Sequence, residues 1–169
     1  MIRVRLYRGT TQSDELGWRE QVSVGDVLSL EVELTRPLYI YVWNRDSTGH
    51  ETLLFPLTHL DTGNPLASGH VYRLPGPSGG IDRFWEVESG GGDEQLWVVA
   101  AESAVGTDSI PDSAKNRVLQ ELGSMLLASE STEHDSAAPE RARGFLSEEV
   151  TLPRGETVWV SFIELRGES

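Results

Sequence analysis

Apolar and polar residues alternate one for one along much of this chain, and that period decides which folds are open to it. Successive side chains of a strand point to opposite faces, so alternation builds sheets with one buried and one wet side. Ile2, Val4 and Leu6 alternate with Arg3, Arg5 and Tyr7, and Leu28, Leu30, Val32 and Leu34 alternate with Ser29, Glu31 and Glu33. Both segments read as half-buried strands. Residues 38–43 differ, because Leu38, Ile40 and Val42 face one way while Tyr39, Tyr41 and Trp43 face the other. Both faces of that strand need cover. Further strands are predicted at 52–55, 71–74, 84–87, 95–101, 148–152 and 157–164, separated by NPLASG, LPGPSGG, SGGGD and LPRG, which read as loops or turns. Short strands this closely spaced predict a mainly β fold, an antiparallel β-sandwich of Ig-like or open-barrel form.

One helix interrupts the pattern. After Ile110 and Pro111, Asp112 or Ser113 caps a segment predicted over 113–128, with Val118, Leu119, Leu122, Met125 and Leu126 as an apolar stripe at helical spacing. The polar, Pro-containing stretch after it, 129–144, is expected to be a mobile, protease-sensitive loop. A chain of 169 residues without a visible repeat suits a single domain.

A formal charge of −13 opposes approach to phosphate backbones and anionic lipid, so neither nucleic acid nor a membrane is an expected partner. A basic partner surface fits better. The cationic residues are scattered arginines and one lysine, Lys115, with no basic cluster. Cysteine is absent, which removes disulfides, thiolate chemistry and cysteine-held zinc. No run approaches the roughly 20 apolar residues of a membrane-spanning helix, and MIRVRLYRGTTQ has no signal-peptide core. For a full-length chain the expected compartment is the cytoplasm.

Asn44, Asp46, Thr48 and Gly49 stand at the first, third, fifth and sixth places of a helix-loop-helix calcium loop. That motif also needs flanking helices and a bidentate acid at its twelfth place, where this sequence has Phe55 between alternating, strand-like flanks. The predicted structure of NRDSTG is therefore a hairpin turn, with Asp46 bonding the backbone just after it and Gly49 taking positive φ. A weaker, loop-type calcium site on Asp46 and Glu51 is the competing reading.

The run GDVLSLEVELTRPLYIYVWNRDSTGHETLLFP, then NPLASGHVYRLP, then EQLWVVAAES, resembles the bacterial domain-of-unknown-function family forty-three eighty-four over residues 16–103. The paired tyrosines, LLFP, NPL and the segment Tyr72 to Pro75 carry the resemblance. It implies a β-rich accessory domain of the kind joined to bacterial serine/threonine kinases, caspase-like peptidases or repeat segments, with no assigned catalytic set. The resemblance thus implies an accessory role, with a kinase, a peptidase or one of their substrates as protein partner.

Residue chemistry points the same way. His50, His59, His70 and His134 form no metal-ligand pair of recognised spacing. Ser68 and His70 are neighbours, but a nucleophilic serine needs an oxyanion hole and an oriented base, and no GxSxG or phosphate-loop motif is present. Adjacent acids such as Asp14 and Glu15, Asp93 and Glu94, or Glu148 and Glu149 face opposite ways on strands. The expectation is a non-catalytic interaction or regulatory module with no cofactor and no metal. Its candidate partner-binding residues are Tyr39, Tyr41, Trp43, Trp85, Trp97 and Trp159, a second apolar face that either the helix covers or a partner uses. A carbohydrate-binding module is the alternative, and a hydrolase using His70 is the third.

Overall fold

The computed structural model describes residues 2–10, 14–88, 90–108, 110–117, 120, 145–152 and 155–168. The elements in chain order are β1 (Ile2–Arg8), β2 (Asp14–Leu16), β3 (Gln21–Val22), β4 (Val27–Leu34), β5 (Tyr39–Arg45), β6 (Glu51–Phe55), β7 (Val71–Leu74), β8 (Gly76–Ser78), β9 (Ile81–Arg83), β10 (Trp85–Glu86), β11 (Gly92–Ala101), β12 (Leu146–Thr151) and β13 (Thr157–Gly167). Sheet A places β1 between β2 and β4, and the far side of β4 pairs with both β7 and β10. Sheet B runs β12, β13, β11, β5, β6. Its pairings are antiparallel except for a two-residue parallel contact of β3 with the end of β13. The two sheets form the predicted β-sandwich.

Alternation places the core. Leu6, Leu28, Leu30, Val32 and Leu34 of sheet A pack against Ile40, Val42, Leu96, Val98, Ala100, Ile163 and Leu165 of sheet B. The other face of sheet B is apolar as well. Register sets Trp97 opposite Trp43 on one neighbour and Phe162 on the other, and Trp97 tilts onto Phe162 with ring centroids 4.6 Å apart. Trp18 meets Phe162 edge-on from the loop after β2. Ile110 and Ala114 complete this second cluster, so the segment before and into the helical residues 112–117 buries the face.

Glu51 of β6 ties that cover down. One carboxylate oxygen accepts the Ile110 N–H at 3.0 Å, and the other accepts Lys115 Nζ at 2.9 Å. Partial burial by itself lowers the Lys115 pKa, but the bonds to Glu51 and Asp112 outweigh it and leave the ammonium above its ordinary value. The only lysine of the chain is thus a clasp. The predicted helix is observed at its start; its continuation through Val118, Leu119, Leu122, Met125 and Leu126, and the expected loop at 129–144, lie outside the described residues.

Several boundaries move. The strand expected at 95–101 begins at Gly92, so part of SGGGD is strand rather than loop, paired by Gly92 to Gly167 where neither residue has a side chain to obstruct the approach. LPGPSGG is likewise not plain loop, since β8 and β9 pair as a small hairpin. At its foot Gly76 has φ +88, and a Cβ there would overlap Thr62 Oγ1.

The characteristic tripeptide NPL closes an edge. Asn64 Oδ1 accepts the Ile40 N–H at 2.8 Å and Asn64 Nδ2 donates to the Ile40 carbonyl at 2.9 Å. A side-chain amide thereby replaces a strand neighbour. Leu66 then exchanges both backbone bonds with Leu38. Asn64→Ala leaves two backbone groups of Ile40 unpaired and is expected to lower stability by about 1–3 kcal/mol in urea titration. Trp97→Ala empties a fully buried site and is expected to cost about 3–5 kcal/mol in the same measurement.

Candidate functional site

The sandwich opens at one end into a cleft of about 660 Å³. Register explains its lining. Thr52, Asn44 and Leu96 stand in one row across β6, β5 and β11, and Glu94 and Leu165 pair in the next row between β11 and β13. Opposite them, sheet A brings the pair Leu28 and Trp85, then Glu86, Val87 and Glu88. Leu54, Leu96, Leu165, Leu28 and Val22 give the cleft an apolar floor. Asp46, Glu86, Glu88 and Glu94 give it a rim of carboxylates. Among the described residues no Lys, Arg or His lines it.

Two of these acids are fixed from behind. Asn44 Nδ2 donates to Glu94 Oε2 at 2.8 Å. Asp46 Oδ1 accepts the Thr48 N–H at 2.9 Å, the Thr48 hydroxyl at 2.6 Å and the His50 N–H at 3.0 Å. The Thr48 hydroxyl bond is the largest influence, and together with the two backbone N–H groups it outweighs desolvation and holds the Asp46 carboxyl below its ordinary pKa. Glu86 and Glu88 are exposed at the rim. Phe84 also lines the cleft and carries Arg73 over its ring at 5.6 Å, while Arg73 Nε donates to the buried Ser29 hydroxyl at 2.9 Å.

The cleft also lies between two sheet edges. β6 pairs with β5 on one side, and no described strand pairs with the other. Among the described strands β10 pairs only with β4. A shallow depression of about 50 Å³ elsewhere, among Arg3, Arg5, Glu31, Glu33 and Val71, is the gap between two cross-strand ion pairs, Arg3 with Glu33 at 3.6 Å and Arg5 with Glu31 at 3.7 Å. It offers little apolar surface to a ligand.

The six aromatic candidates do not share a surface. Tyr41, Trp43 and Trp97 are buried in the second core, and the Tyr41 hydroxyl accepts the Val105 N–H at 3.0 Å. Tyr39 is half-buried at the margin of that cluster. Trp159 lies on the opposite face from the one expected, against the first core. It pairs with Ala100 and so faces the first core, opposite in phase to Trp97, with Arg36 4.7 Å above its ring. Trp85 alone of the six lines the cleft, half-buried, with its Nε1 enclosed and lacking a hydrogen-bond acceptor.

The remaining candidates fall apart in space. NRDSTG forms the predicted hairpin turn: Gly49 has φ +87 and its N–H bonds the Asp46 carbonyl. Among the described residues no group of three or more His, Asp or Glu converges as metal ligands do. His70 is exposed and edge-on to Tyr72, His59 is exposed, His50 sits 3.4 Å from the Thr52 hydroxyl, and His134 lies outside the described residues. Asp93 and Glu94 do face opposite ways, Asp93 toward Arg19 at 3.8 Å and Glu94 into the cleft. Most cleft residues escape a reading of the sequence because several strands contribute them. The one readable signal is FWEVE, where Phe84, Glu86 and Glu88 alternate with Trp85 and Val87.

Residues 21–104 match the family model described as a domain of unknown function, DUF4384. The chain carries this domain. No curated protein and no solved structure matches it. The matched stretch spans β3 to β11 and leaves out β1 and β13, each of which pairs with a matched strand along its whole face, β1 with β4 and β13 with β11. The LLFP, NPL and YRLP pieces place Phe55, Leu66 and Leu74 in the core, and each contains a cis X-Pro bond. These signature pieces serve the fold. No helix among the described residues is long and apolar enough to cross a membrane.

The Asp46 turn yields a pH signature. Its folded pKa lies below the ordinary 3.8, so its stabilisation is complete above that value and disappears as pH falls through the folded pKa. The stability gap between wild type and Asp46→Ala is expected to be constant at neutral pH and to shrink below 3.8, as read by urea titrations at a series of pH values.

Proposed function

We propose that this protein is a non-catalytic recognition module that takes a protein partner at the cleft between sheets A and B. The observation that carries this reading is a cleft of about 660 Å³ with an apolar floor and an acidic rim. A floor of Leu28, Leu54, Leu96 and Leu165 supplies desolvation energy, and the polar rim supplies orientation. Kinases, peptidases and their substrates are the partner classes that the family resemblance favours. Regulation of such a partner is the role proposed for this domain.

Two features weigh against a reaction. Acid/base catalysis by a carboxyl pair needs a site from which water is held off, and Glu86 and Glu88 both stand in solvent. His70 lies on an exposed turn and not in the cleft lining. A sugar platform needs flat, open rings. Trp43 and Trp97 are buried instead, so the carbohydrate reading loses its main aromatic surface.

Thr52 is exposed and lines the cleft, so Thr52→Arg fills it from a position that bears no core packing. Capture from lysate of the native organism, with crosslink mapping of what is retained, is expected to give a protein joined to the cleft in wild type and absent with Thr52→Arg. Equal capture by a folded Thr52→Arg variant would place the binding surface elsewhere and end this reading.

A further inference from the structure

We infer that the cleft takes an extended peptide segment of the partner and selects one that carries an arginine or lysine side chain. The inference rests on the recognition reading above and names the chemistry of what is recognised.

Three independent observations define the occupant. The first is shape: the cleft runs beside β6, an edge strand whose outer side pairs with no described strand. An unpaired edge offers backbone donors and acceptors to an added strand, and such a strand sends alternate side chains to one face. Thr52 and Leu54 of β6 point into the cleft, so a strand laid alongside sends every second side chain there. A compact metabolite would leave that edge unused.

The second is charge. Glu86, Glu88 and Glu94 line a space that no described basic residue lines. Several acids of the sheets have an arginine beside them, as Glu31 and Glu33 have Arg5 and Arg3 and Glu164 has Arg19. Among the described residues none that lines the cleft supplies the opposite charge, and a basic side chain of the partner would. The Asn44 amide holds the Glu94 carboxylate in place, which keeps an acceptor fixed at the rim of the cleft. The formal charge of −13 adds long-range attraction for a basic segment and repels an acidic one.

The third is the floor. Leu54, Leu96 and Leu165 would be wasted on a small hydrated cation. Arginine and lysine carry an apolar stem beneath a charged head, so one side chain covers the leucines and still reaches the carboxylates. Trp85 beside Leu28 adds an aromatic ring to that wall, a surface on which a guanidinium or ammonium is favourable. Apolar floor, acidic rim and open edge therefore agree on a basic residue within an extended chain.

The test is selection from a displayed library of random peptides of about twelve residues, long enough to span a strand. Wild-type protein is the bait and folded Thr52→Arg is the counter-selection. The expected result is a set of wild-type-specific peptides enriched in Arg or Lys at one position. Changing that residue to citrulline or norleucine, or using the Glu86→Gln, Glu88→Gln variant, is expected to weaken binding about tenfold or more, roughly 1.4 kcal/mol, and affinity is expected to fall as salt rises. Wild-type-specific peptides without basic enrichment would overturn the charge inference and leave the cleft as a recognition site. Peptides that bind Thr52→Arg equally would remove the cleft itself. Recovery of no peptide would overturn the inference while the crosslinking capture decides the recognition reading separately.

Discussion

Burial of sheet B on both faces is the constraint on which the rest of this structure depends. Its inner face supplies half of the sandwich core, and its outer face carries Trp43, Trp97 and Phe162 in register across three strands. Aromatic rings of that size bury a large apolar area and cannot be left in water without a patch that invites association. Hence residues outside the sandwich must pack there. Ile110, Ala114 and Trp18 do so, and the Glu51 contacts to Ile110 and Lys115 hold part of this cover against the edge strand β6.

That arrangement separates two functions of the same edge. The outer-facing side of β6 contributes Leu53 to the covered cluster, while Thr52 and Leu54 open into the cleft. Between them the strand keeps a backbone side that no described strand pairs. Sheet A is treated differently, since its outer face carries cross-strand Arg and Glu pairs that stay in solvent. Those pairs contribute little to stability individually, but they leave that face balanced in charge. At the cleft, where the sandwich ends, Asp46, Glu86, Glu88 and Glu94 stand with no basic residue among its described lining.

The family-like sequence pieces acquire a physical meaning from this plan. Asn64 stands in for a strand neighbour of Ile40, Tyr72 accepts the Ala67 N–H through its hydroxyl, and Arg73 spans from Ser29 to the Phe84 ring. They brace the edge of each sheet. A motif of this kind identifies an architecture without identifying a ligand, because what it maintains is the position of the edges that frame the cleft. The matched domain also depends on β1 and β13 from outside it, which pair along β4 and β11.

The sequence by itself determined the strands and the turn at Asp46, because alternation and Asx chemistry are local: β1, β4 and β7 lie where their periodicity placed them, and Asp46 bonds residues two and four positions on. It also determined that the strand at Tyr39 needs cover on both faces. Short pairings such as β2, β3, β8 and β9 were not legible, since two or three residues carry no period. Tertiary structure alone decided the phase of Trp159 against Trp97, through a register that places Ala100 and not Trp97 beside it. It likewise decided that Thr52, Glu86 and Glu94 meet around one cleft. Alternation tells which side chains share a face of one strand, but which strands become neighbours, and where two sheets part, depends on contacts between residues far apart in the chain.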